Sequence, residues 1–98
     1  MIFIAISKFT PQFSMEAATP LLRAEARAAW DLHMVGKIFA IHFDQVALKG
    51  IVLVEAASRE DVPDILQALP LVSEGLIEFD VYHLGPFGGL EGLFSQAD

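Results

Sequence analysis

With 98 residues, 54% of them hydrophobic, the chain has room for one domain (1–98) and a single core built from two packed layers. Thirteen acidic against six basic residues give a formal net charge of −7, and the cations are scattered, so the clustered basic face that nucleic acid or an anionic membrane needs is excluded. Cysteine is absent, which rules out disulfides, thiolate catalysis and Cys-based zinc sites and fits the reducing cytoplasm in which we place the chain.

Met1 to Phe9, rich in Ile and Phe and closed by Thr10-Pro11, reads as a first strand. From about Met15 to Val35, Leu21, Ala24, Ala28, Leu32 and Val35 recur at helical spacing, with Thr19-Pro20 as the expected start and Gly36 as the C-terminal cap. In Lys37 to Asp44, Phe39, Ile41 and Phe43 alternate with Ala40, His42 and Asp44, the pattern of a strand with one apolar face. A turn at Gln45 to Gly50 then leads into a Val/Ile/Leu strand ending near Ala56, and so short a connection implies an antiparallel hairpin. Ser58 is the expected N-cap of a second helix carrying Val62, Ile65, Leu66 and Leu69 inward, with Pro63 in its first turns and Pro70 ending it. Leu76 to Leu84 is the last strand.

The order β-α-β-β-α-β, with right-handed crossovers, specifies an α+β ferredoxin-like fold: four antiparallel strands with both helices on one face. The bare face and the surplus of apolar residues then point to a homodimer, or a higher oligomer built on it, that encloses a cavity between two sheets. Residues 85–98 form a C-terminal extension. In it Phe87, Leu90, Leu93 and Phe94 are expected to pack on the body or across the dimer, while Ser95 to Asp98 fray.

Leu66-Gln67-Ala68-Leu69-Pro70-Leu71 leading into Ile77-Glu78-Phe79-Asp80, with Gly36 before the second strand and Ser58-Arg59-Glu60 opening the second helix, resembles the muconolactone isomerase family. That family lies in the wider set of dimeric α+β barrel proteins that includes the YciI-like proteins, and the similarity runs from about Arg23 to Pro86. It implies the ferredoxin-like fold, a dimer and an isomerase-type reaction. Where such isomerases carry aromatic and Arg residues suited to a lactone carboxylate, this chain has Ile38-Phe39 and His42-Phe43, so the basic anchor for an anionic substrate is missing.

Proton transfer beside a carbonyl needs an acid and a base in one small cavity, their pKa values moved toward neutrality by burial. His42, Glu55, Glu78, Asp80 and Tyr82 are the polar residues expected on the bare face of the sheet. Glu78 and Asp80, two apart on one strand and therefore roughly 7 Å from each other, are either an acid and base pair or a solvated strand face. His42, between Ile41 and Phe43, is a general base, an oriented hydrogen-bond donor or a packed interior imidazole; in the first role it forms with Glu78 the candidate proton-moving pair, with Glu55, Asp80 and Tyr82 as substrate contacts. Arg27, Trp30 and His33 succeed one another at three-residue steps on the first helix and either line one mouth of the pocket or simply pack there. The three histidines share no compact ligand spacing, so no metal is expected, and no flavin, nicotinamide or haem signature is visible, so neither is a cofactor. Two functions remain open: an isomerase- or cyclase-type enzyme acting on a small ligand, and a dimeric module that binds a small molecule or protein without catalysis.

Overall fold

The computed structural model describes residues 1–94; the expected fraying of Ser95 to Asp98 lies outside them. β1 (Ile2–Phe9) is followed by a short helix α1 (Met15–Ala18), a 3-10 turn (Thr19–Leu21) and the main helix α2 (Leu22–Met34). β2 (Ile38–Asp44) and β3 (Lys49–Glu55) form the hairpin, α3 (Asp61–Leu66) and α4 (Pro70–Ser73) return the chain, and β4 (Ile77–Leu84) precedes a five-residue helix α5 (Gly89–Leu93). The sheet order is β2-β3-β1-β4 and every pairing is antiparallel, which is the ferredoxin-like arrangement.

Several expected boundaries move. The helical region is capped by Ser14, whose hydroxyl accepts the Ala17 amide at 3.0 Å, whereas Thr19 donates back to the Met15 carbonyl and Pro20 sits in the 3-10 turn. Ser58 does not cap α3 through its side chain; its carbonyl accepts the Asp61 amide three residues on. α3 already ends at Leu66, so Pro70 does not stop it but opens α4: Leu69 is extended at ψ 120° and a proline suits the first helical position. Gly36 adopts φ +78° just past α2, the left-handed cap a glycine makes without steric cost.

Period-two alternation decides which side of the sheet each strand residue serves. Phe3, Ala5, Val52, Val54 and Ile38 are buried beneath the helices and meet Val62, Leu66 and Leu69 from the second helical region. From α2 come Ala28, Ala29 and Leu32, which are only partly buried, while Val35 is 69% exposed. α2 buries no residue fully, and its Ala26 and Ala29 border a cavity against the sheet. On the other side, register places Ile4 between Leu53 and Tyr82, and Ile6 between Ile51 and Asp80. Nothing in the described chain covers this apolar face.

Past Leu84 the chain leaves the body. Phe87, Leu90, Leu93 and Phe94 are all more than half exposed, so these side chains do not pack on the body of their own protomer.

Candidate functional site

Beneath α2 lies a cavity of about 400 Å³, walled by the helix on one side and by the ends of all four strands on the other. Its lining is aliphatic and aromatic apart from Ser7, Glu25 and His42. Phe9 and Phe13 stack with ring centroids 4.0 Å apart at its edge, and Phe43 and Phe79 extend the aromatic wall. Ser7 is a buried polar residue of the sheet: its hydroxyl oxygen accepts the Gly50 amide at 2.7 Å.

Glu25 is the residue that sequence reasoning missed. It stands first in the set Glu25, Ala28, Ala29, Leu32, an i, i+3, i+4, i+7 stripe whose other three members pack against the core. A carboxylate on such a stripe is the signal that was available. One carboxyl oxygen of Glu25 accepts the Leu71 amide at 2.8 Å. That amide is free because α4 begins at Pro70, so its first-turn N–H groups have no partner within the helix. Burial under α2 pushes the Glu25 pKa up, and the Leu71 hydrogen bond only partly opposes it. The result is a half-buried carboxyl, held at one oxygen, that keeps its proton to higher pH than an exposed glutamate does.

His42 borders this cavity from β2, but its register partner is Ile51, so its side chain belongs to the uncovered face. Glu78, Asp80 and Tyr82 lie on that same face. His42, Ile51, Ile6 and Asp80 form one row across four strands, which sets His42 and Asp80 roughly 14 Å apart within a protomer, with Glu78 one step further along. A single chain therefore does not bring His42 and Glu78 within proton-transfer reach. Lys8 also stands beside both acids, 2.9 Å from Asp80 and 3.7 Å from Glu78, and the Asp80 hydrogen bond and charge raise its pKa.

Glu55 shares the parity of the uncovered face through its pairing with Ile2, at the far end of β3, whereas Arg27, Trp30 and His33 sit elsewhere. Glu55 binds the terminal amine of Met1 at 3.2 Å on the rim of an open hollow of about 580 Å³ shared with Lys37, Asp61 and Asp64. That hollow is larger but shallow and rich in charge, which suits solvent better than an organic ligand. Arg27 pairs with Asp31 at 3.3 Å, Trp30 tilts against His33 at 5.6 Å, and His33 Nδ1 lies 2.9 Å from the Ile38 carbonyl. None of the three lines either space. Among the described residues, no group of three or more His, Asp or Glu side chains is placed to hold a metal ion, and no helix is long and apolar enough to cross a membrane.

No family model matches the sequence, and no curated protein matches it. Among solved structures, the chain is similar to the 5-chloro-2-hydroxyhydroquinone dehydrochlorinase TftG of Burkholderia phenoliruptrix in complex with 2,5-dihydroxybenzoquinone, at 18% identity, a TM-score of 0.66, and coverage of 91% of this chain and 98% of that one. The sheet order and this likeness together establish the ferredoxin-like fold.

Proposed function

We propose that the protein is a small-molecule enzyme acting by proton transfer in the cavity under α2, with Glu25 as the group that takes and returns the proton. The observation that carries this reading is the half-buried Glu25 carboxyl, fixed by the Leu71 amide within an otherwise apolar cavity. An isomerase- or cyclase-type step removes a proton at one atom of the substrate and returns one at another. It needs a base of raised pKa shielded from water, and a positioned general base or acid contributes about 10²–10⁴-fold. The activity named for the structural neighbour, loss of hydrogen chloride from a hydroxylated ring, also removes a proton, which supports a ring compound as substrate here. In this reading the reacting cavity lies within each protomer, and the uncovered face of the sheet serves the homodimer.

A second reading, a binding module without catalysis, is favoured by one feature: His42 turns toward the other face, which leaves Glu25 as the ionisable group under α2. Exchange of acidic C–H protons into deuterated water, followed by NMR over a panel of hydroxylated and keto ring compounds, separates the two. The enzyme reading expects protein-catalysed exchange that falls at least about 100-fold in Glu25→Gln. Exchange that is equal in both proteins, or absent across the panel, refutes it and leaves the binding module.

A further inference from the structure

The polar groups around this cavity are few, and their chemistry is specific. From β1 comes Ser7, whose oxygen is already occupied by the Gly50 amide; among the described residues its hydroxyl hydrogen has no acceptor, so it is available to donate to a bound molecule. From α2 comes Glu25, with one oxygen engaged by Leu71 and the other without a hydrogen-bond partner among the described residues. No Lys or Arg is among the lining residues, and α4 contributes a main-chain N–H that Glu25 has already taken. The remaining titratable group, His42, shares the uncovered face with Ile51.

We infer that this cavity takes uncharged single-ring compounds carrying a hydroxyl and a carbonyl, and rejects their carboxylate counterparts. The inference rests on the cavity being the functional site and deepens that reading by naming its ligand class. The volume of about 400 Å³ is at the small end of the ~300–1,000 Å³ found for ligand pockets, and the aromatic walls suit a flat ring. The carbonyl accepts from Ser7 on the sheet, and the hydroxyl meets that second oxygen of Glu25 on the helix above it. A carboxylate placed there loses its water, finds no cation among the lining residues and lies near a second carboxyl. Burial of an unpaired charge is disfavoured on each of these counts.

Calorimetric titration of the full chain near neutral pH with three probes of nearly the same size and shape tests this. The probes are 4-hydroxyacetophenone, the anion 4-hydroxybenzoate, and 4-ethylphenol, which lacks the carbonyl. The ketone is expected to bind at least about tenfold more tightly than the anion, and severalfold more tightly than 4-ethylphenol. In Glu25→Gln, checked for native circular dichroism, the ratio of ketone to anion affinity is expected to shrink, mainly because the anion improves. Equal or tighter binding of 4-hydroxybenzoate, equal binding of 4-ethylphenol, or no binding of any probe at millimolar concentration overturns the inference. Because this readout is affinity, the expected selectivity without proton exchange removes only the catalytic reading. Exchange with a preference for carboxylates removes only the ligand class.

Discussion

The uncovered side of the sheet offers the sharpest quantitative test of the homodimer. Ile4 lies at its centre, between Leu53 on one neighbouring strand and Tyr82 on the other. In a single protomer position 4 is only partly buried, so Ile4→Glu lets the new carboxylate reach water and leaves the monomer folded. In a dimer closed through this face, the same carboxylate is desolvated without a partner in each copy. Taking roughly 3 kcal/mol per copy, the low end for an uncompensated buried charge, gives about 6 kcal/mol for the pair. At about 1.4 kcal/mol per tenfold, that weakens dimerisation by about four orders of magnitude. Sedimentation or light scattering at micromolar concentration then reads dimer for the parent and monomer for Ile4→Glu, with circular dichroism unchanged. A parent protein that is monomeric, or an Ile4→Glu protein that dimerises as strongly as the parent, refutes the reasoning.

Two carboxyls give opposite pH dependences. Burial raises the Glu25 pKa above its ordinary 4.5, so its contribution to stability is complete below that value and is lost as pH rises through the raised native one; Glu25→Gln should therefore melt higher than the parent at neutral pH and lose this advantage in acid. The Ala47 and Val46 amides depress the Asp44 pKa below its ordinary 3.8, so its contribution is present above that value and is lost as pH falls; Asp44→Ala should melt lower at neutral pH, with the gap closing in acid. Gly36→Ala and Gly75→Ala, at φ +78° and +77°, should each cost about 1 kcal/mol in denaturant titrations, although an added Cβ meets no atom within 4 Å at either site. Truncation after Leu84 removes the exposed Phe87, Leu90, Leu93 and Phe94; if these pack across the dimer, it should leave the monomer's melting transition in place while weakening self-association.

The order of elements was legible because strand and helix periods differ and because Pro and Gly punctuate them; Gly36 caps its helix as its position implies. The start of the helical region was misplaced because Ser14, which supplies the cap, stands five residues before the Thr19-Pro20 signal. Alternation also assigned His42, Glu78, Asp80 and Tyr82 to the uncovered face, since a face follows from parity alone. Distance across the sheet does not follow from parity. Strand order separates His42 from Glu78, and Lys8 stands beside the acids because register, a tertiary property, aligns it with them. The cavity was invisible for a further reason: the α2 residues that border it include the small Ala26 and Ala29, and low volume on a helix stripe looks like close packing until helix and sheet are placed. Glu25 was overlooked in the same way, as one of two acids on a helix that also carries Arg23 and Arg27.

The most direct test of the account is to locate a bound ring. Amide and side-chain NMR shifts of the isotope-labelled protein, recorded as 4-hydroxyacetophenone is added, report which surface it touches. The account expects the perturbations to centre on the Ser7, Gly50 and Leu71 amides and the Glu25 carboxyl carbon, beneath α2. Shifts confined to Ile4, Ile51, Glu78 and Tyr82 would place the ligand on the opposite side of the sheet and contradict it.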